Sequence, residues 1–209
     1  MDKHPQIPKA TAKRLPLYYR YVLDLEAQNI DKFSSRDLSE SLEIDSATIR
    51  RDLAYFGELG KRGYGYDVKK MIEFFGRLLG EKHITNIGIV GVGDLGSALI
   101  KFKFNKAKGL KIGCAFDVNP QLVGTKISDI TIYGMDELVE QLKKHKIEIV
   151  ALAVSSEDAQ EVSKQLISAG VKGILNFTSE LLSVPDTIRV RNVDLTAELQ
   201  TLIYYINQD

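Results

Sequence analysis

This chain has no excess charge of either sign. Its 28 Lys and Arg balance 28 Asp and Glu over 209 residues, so the formal net charge at pH 7 is zero. A nucleic-acid role must then rest on local clusters and not on a basic pI. Cysteine is almost missing too. The one present, Cys114, excludes an intramolecular disulfide and fits a reducing compartment. Its setting, KIGCAFDV, reads as a buried strand position; the rival reading, a redox-sensing thiol, needs exposure and a lowered pKa. No apolar run reaches the length of a membrane span, and the N-terminus carries no signal-peptide pattern. The expectation is a globular protein of the cytoplasm, with neither membrane nor metal partner. No Cys/His spacing suits a metal, and no nucleophile elbow, internal repeat or low-complexity segment is found.

What is present falls into two patterns. The first ten residues, MDKHPQIPKA, have two prolines and no periodicity, as expected of a loose arm. From Thr11 to Gln28, Leu15, Tyr18, Val22 and Leu25 recur at helical spacing, and Pro16 predicts that the regular part starts near it. In FSSRDLSESLEIDSATIRRDLAYFGELG, Ser34 or Ser35 can cap a short helix carrying Leu38 and Leu42. Asp45 or Ser46 can cap a second helix, with Ile49, Leu53 and Phe56 on one face. Two short helices so joined form a helix-turn-helix. In GKRGYGYDV, glycines 60, 63 and 65 permit a tight turn between two short strands, a wing. A helix over VKKMIEFFGRLLG closes this domain, assigned to residues 1–80.

From Thr85 onward, apolar strands alternate with helices: ITNIGIVGVG, LKIGCAFDV, ITIYG, IEIVALAVS, VKGILNFT and TIRVRNV are the strands. That alternation predicts a parallel sheet covered on both faces, a Rossmann-like α/β domain over residues 81–192. The terminal segment, residues 193–209, contains a helix whose Leu195, Leu199, Leu202, Ile203 and Ile206 form one apolar face. Such a face can dock on its own domain or on a second subunit.

The turn Gly91-Val92-Gly93-Asp94-Leu95-Gly96 joins a strand to a helix. The first glycine makes the tight turn, the second lets backbone approach a pyrophosphate, and the third packs helix on sheet. The helix N-terminus points its free amides at the phosphates. Asp117, at the end of the next strand, can accept hydrogen bonds from both adenosine ribose hydroxyls. The same charge disfavours a 2′-phosphate, so NAD is expected over NADP. In the rival reading Asp117 only caps the turn before Asn119-Pro120.

In the first domain, Ser46, Ala47, Thr48, Arg50 and Arg51 remain on the exposed N-terminal part of the second helix, where a recognition helix meets the major groove. Arginine can bond bidentately to guanine, and Thr can read a base edge. Lys61 and Arg62 in the wing turn would face phosphates or a minor groove. The competing reading pairs Arg50 or Arg51 with Asp52 or Glu58 on a solvated face. A dehydrogenase needs an acid or base at the reacting carbon. His4 and His83 lie outside any plausible site, and His145 sits in the charged helix end KKHK. A regulator is therefore favoured over a small NAD(P)-dependent oxidoreductase, with a coenzyme A sensor as a further alternative.

Together SATIRRDLAYFGELGKRGYGYDV, GVGDLGSAL, FDVNP, KGILNFT and NVDLTAELQTLIYY resemble the Rex family of redox-sensing transcriptional repressors, from about residue 8 to the end. The resemblance implies a homodimer with a winged helix, a Rossmann domain and an exchanged C-terminal helix. It also implies operator binding permitted by NAD⁺ and released by NADH. Some members have a switch in which an Asp on the partner's terminal helix moves between an Arg of the first helix and a Tyr near the nucleotide. Asp194 and Arg20 match the Asp and Arg, Leu195 lies beside the switch, and Phe102 stands at the tyrosine position, without a hydroxyl.

Overall fold

A computed structural model of the chain describes residues 7–61, 63–80, 84–102 and 109–208. The chain forms two compact units, Met1–His83 and Ile84–Asp209.

The first unit runs α1 (Lys9–Ala27), β1 (Lys32–Phe33), α2 (Ser35–Leu42), α3 (Ser46–Ala54), β2 (Gly60–Lys61), β3 (Gly65–Asp67) and α4 (Val68–Leu78). It is a winged helix-turn-helix. Leu15, Tyr18, Val22 and Leu25 bury the inner face of α1 against Leu38, Ile49, Leu53 and Phe75. The helix starts well before the proline, and Pro16 lies inside it. Pro16 cannot donate a backbone bond, but the turns before it are anchored sideways, because Thr11 and Arg14 are both bound to Asp52. Tertiary contact here overrides the local rule.

Ser34 caps α2 in a reciprocal box with Asp37, whose carboxylate accepts the Ser34 N–H at 2.7 Å. Asp45 caps α3, accepting from Ala47 and Thr48 N–H at 2.8 and 3.1 Å. The wing strands β2 and β3 pair antiparallel, and β1 adds a third strand on the other edge of β3. A two-residue strand carries no periodicity, so β1 had no sequence signal. It is held by pairing of Phe33 with Tyr66, whose rings stack 5.3 Å apart.

The second unit runs β4 (Thr85–Val90), α5 (Asp94–Lys101), β5 (Leu110–Asp117), β6 (Lys126–Ile127), β7 (Ile130–Gly134), a 3-10 turn, α6 (Leu138–Lys144), β8 (Ile149–Leu152), α7 (Ser156–Ser168), β9 (Gly173–Asn176), β10 (Arg189–Asn192) and α8 (Leu195–Ile206). The sheet order is β10-β9-β8-β4-β5-β7-β6, with β6 alone antiparallel to its neighbour. Successive strand residues face opposite sides, and the cores divide accordingly. Val90 joins Phe116, Leu138, Leu142 and Leu166 on one face, while Ile89 joins Ile100, Ile112 and Ile132 on the other. Helices α6 and α7 cover the first face and α5 the second. The chain leaves β4 toward β5 and returns to its other side at β8, so the carboxyl end of β4 is the topological switch point where such sheets bind ligands.

No residue of α8 is buried, and Leu195, Leu199, Leu202, Ile203 and Ile206 are all more than half exposed. Docking on its own domain is thus not what the apolar face does in this chain. No helix among the described residues is long and apolar enough to cross a membrane.

Cys114 is fully buried in β5, and burial pushes its thiol up to about 12. The thiolate needed for reaction is therefore scarce at neutral pH. A maleimide should leave the native protein unlabelled for hours and label it at once in denaturant, as followed by mass spectrometry; rapid native labelling would contradict the burial.

Candidate nucleotide site and nucleic-acid interface

At the switch point the three glycines are distinguished by their surroundings. Gly91 has φ +91°, and a Cβ there would strike the Ala153 backbone. A Cβ on Gly96 would strike the Gly91 carbonyl. A Cβ on Gly93 would meet nothing within 4 Å. The first is required by the turn, the third by close helix-on-turn packing, and the second by neither. The turn is also braced: Gly91 N–H donates to Phe116 O at 2.9 Å, and the Ser97 hydroxyl donates to Gly93 O at 2.6 Å. Val92 is buried, while Gly93, Asp94 and Leu95 are exposed at the start of α5.

Asp117 stands at the end of β5 beside this turn. One carboxylate oxygen accepts the Val92 N–H at 2.6 Å and the other accepts the Asn119 N–H at 2.7 Å. The turn-capping reading is thus met in part, but each oxygen keeps a second acceptor position for a hydroxyl. An open backbone at Gly93, helix amides beyond it and a fixed carboxylate at the side fit a dinucleotide's pyrophosphate and adenosine ribose.

His145 is at the C-cap of α6, which leads into the amino end of β8. It therefore lies at the opposite end of the sheet from the glycine turn. His4 and His83 lie outside the described residues.

In the first unit the competing reading, which pairs Arg50 or Arg51 with Asp52 or Glu58, fails for Asp52. Asp52 points inward, 2% exposed, and accepts four hydrogen bonds from α1. These come from Thr11 Oγ1 at 2.7 Å, Arg14 Nε at 2.6 Å, Arg14 Nη2 at 2.8 Å and Tyr18 Oη at 2.6 Å. Position 52 follows Leu53 and Ile49 onto the buried face, so it cannot reach the arginines on the outer one. Burial pushes the Asp52 carboxyl up, but the bonds from Arg14, Tyr18 and Thr11 together outweigh it and hold the pKa below the ordinary value of 3.8. The Tyr18 phenol is raised, first by burial and then by its bond to Asp52. The sequence feature that marks this partner is Thr11 and Arg14 interleaved with Leu15 and Tyr18 on one helical face.

The recognition face is correspondingly open. Arg50 and Arg51 are exposed, and Ser46 and Thr48 are partly so. Arg50 Nη1 lies 3.4 Å from Ser35 Oγ, at the rim of a groove of about 750 Å³ between α3 and the wing. Tyr66 and Gly60 line its other side. Lys61 belongs to β2 by its backbone, and Arg62 lies outside the described residues. The wing turn also presents Tyr64, 73% exposed, with the Lys32 ammonium 5.6 Å from its ring centroid; neither residue stood out in the sequence.

Arg20 is exposed on α1. Asp194 is the N-cap of α8, one carboxylate oxygen accepting from Thr196 and Ala197 N–H at 2.9 and 3.1 Å. Phe102, the C-cap of α5, and Leu195 are each 63% exposed.

Comparison with known proteins follows this division. A CoA binding domain model matches residues 82–180, and a model of a putative DNA-binding protein N-terminus matches residues 6–54. The redox-sensing transcriptional repressor Rex 1 of Enterococcus faecalis is 52% identical over 99% of this chain and 96% of its own. The repressor Rex of Limosilactobacillus reuteri is 53% identical over 96% of this chain and 94% of its own. Among solved structures, the Rex-family repressor RSP in complex with β-NAD⁺ and operator DNA superposes with a TM-score of 0.89, at 34% identity, covering 97% of this chain and 93% of RSP. RSP in complex with β-NADH gives 0.88 at 32% identity, covering 97% and 95%.

Two predictions follow the geometry. Gly93→Ala should fold with stability within about 0.5 kcal/mol of the parent yet lose dinucleotide binding, whereas Gly96→Ala should lower the denaturant midpoint itself. Equal loss of stability in both would contradict the distinction. Asp52→Ala should cost about 1–3 kcal/mol at neutral pH, because the buried Thr11 and Tyr18 hydroxyls lose their acceptor, while the partly exposed Arg14 regains water. Because Asp52 has a depressed pKa, its contribution is complete above pH 3.8 and lost as pH falls through the lower folded-state value. The gap between parent and variant in chemical denaturation should therefore narrow as pH falls below 3.8 and stay constant above it.

Proposed function

Since the chain belongs to the Rex family of redox-sensing transcriptional repressors, we propose that it represses transcription by binding operator DNA as a homodimer and is released by NADH, so that transcription follows the NADH/NAD⁺ ratio. Residues 1–80 hold the DNA, 81–192 the dinucleotide, and 193–209 the partner subunit. The observation that carries this reading is that Gly93 is open while Gly91 and Gly96 are packed shut. Two glycines serve the fold, and the one between them serves something that approaches the backbone from outside.

Thr48, Arg50 and Arg51, with Ser46 at the helix start, read the major groove, and Lys61 and Arg62 hold the flanking backbone. A ligand moves a two-state dimer only by its difference in affinity for the two states. Neutral nicotinamide enters an apolar interface pocket, walled in part by Leu195, at lower desolvation cost than the cationic ring of NAD⁺. Asp194 of the exchanged helix pairs with Arg20 in the DNA-binding form. With Phe102 in place of a tyrosine, Asp194 gains no phenol in the NADH form, so release rests on breaking the arginine pair. On this reading the protein is a regulator and not an enzyme, which is supported by the place of His145 at the end of the sheet away from the nucleotide turn. It acts in the cytoplasm, where DNA and the free dinucleotide pool meet.

Coenzyme A as the ligand has one observation in its favour, the CoA binding domain match over residues 82–180. A calorimetric titration with NADH, NAD⁺, NADPH and coenzyme A separates the readings. The expected order is NADH well ahead of NAD⁺ and NADPH, with no change in NADH absorbance over hours. Binding of coenzyme A alone, or steady oxidation of NADH, would replace the proposal.

A further inference from the structure

The end of β9 carries a polar side chain that neither the nucleotide turn nor the DNA interface uses. Asn176 is fully buried. Its Nδ2 donates to Glu180 O at 2.8 Å and to Asn192 Oδ1 at 3.0 Å. Its Oδ1 accepts from Thr178 N at 3.1 Å and from Thr178 Oγ1 at 2.8 Å. All four hydrogen-bonding positions of the amide are therefore filled. Its backbone carbonyl accepts a fifth bond, from Val193 N at 2.8 Å. Val193 directly precedes Asp194, the N-cap of α8.

The same residue is tied to the ligand end of the sheet. Asn176 is in register with Leu152 at the carboxyl end of β8, and Phe177 N donates to Leu152 O at 2.9 Å. The next residue, Ala153, donates to Val90 O at 2.8 Å, and its backbone is what the missing Cβ of Gly91 makes room for. An unbroken run of backbone contacts thus leads from the glycine turn, through the ends of β8 and β9, to the base of α8. At its last step the run passes through the β9–β10 ladder and the Val193 N to Asn176 O bond, and the Asn176 amide reinforces that step by gripping the Asn192 side chain, while α8 itself has no buried residue to hold its direction.

We propose that Asn176 is a positioning residue for ligand-dependent release: it fixes the direction in which α8 leaves the sheet relative to the nucleotide turn, acting through Asn192 and Val193 and touching neither ligand nor DNA. This rests on the reading of the chain as an NADH-released repressor. A single net hydrogen bond is worth roughly a two- to tenfold change in an equilibrium, and that is the scale of effect expected.

The test uses the full-length protein and a DNA duplex that the parent selects from a random library. NADH binding is measured directly by calorimetry, and release is measured as the NADH concentration that frees half of the bound duplex. Asn192 is exposed, so Asn192→Ala removes one link of the hub without opening the core. It should bind NADH within about twofold of the parent while half-release moves up roughly three- to tenfold. Asn192→Asp retains an oxygen acceptor for Asn176 Nδ2 and should behave as the parent. Asn176→Ser should shift release further, with its thermal midpoint recorded alongside. Half-release at parental NADH in both Asn192→Ala and Asn176→Ser overturns the inference, as does a shift matched by equal loss of NADH binding. A parent that NADH does not release removes the underlying reading, and the inference with it.

Discussion

Everything in the nucleotide-binding unit converges on a steric constraint at one turn. Gly91 must take a positive φ to leave β4, and it does so against the Ala153 backbone, with Gly96 seated on its carbonyl. The same turn is bonded to the end of β5 through Phe116 O and Asp117. Three strands and one helix are thereby held in register within a few residues. Their carboxyl ends form the crevice, and the one glycine without a packing duty faces it. The fold and the candidate site are here consequences of the same backbone approach.

In the DNA-binding unit the corresponding constraint is a buried carboxylate. Asp52 accepts its hydrogen bonds from α1, up to 41 residues earlier in the chain. A buried ion pair is weak evidence for stability and better evidence for register. Here the register has a visible consequence: with Asp52 turned inward onto α1, it is not available to Arg50 and Arg51, which stay exposed on the outer face.

The terminal helix raises an energetic question that the monomer leaves open. Seven large apolar or aromatic side chains of α8, from Leu195 to Ile206, stand 55–64% exposed. Covering them is worth on the order of 10 kcal/mol before docking costs. In the proposed reading a second copy of the chain supplies that cover. On that reading the direction in which α8 leaves the sheet matters for function, and the Asn176 amide is bonded to the strand end from which α8 departs.

Much of this was legible in the residues. Caps at Ser34 and Asp45, the apolar face of α1, the strand–turn–helix around Gly91 and the burial of Cys114 all follow from chemistry within a few positions along the chain. Those are interactions of short sequence range, and periodicity and turn chemistry report them. The start of α1 ahead of Pro16, the strand β1, the partner of Asp52 and the filled hub at Asn176 were not legible. Each depends on at least one contact between groups 16 to 41 residues apart, or rests on a residue pair too short to show a period. The sequence by itself determined which segments become helix, strand and glycine turn, and hence the kind of ligand each half can take. Only the tertiary structure decided which polar side chains are consumed inside and which remain exposed, because that choice depends on what packing brings within about 3 Å.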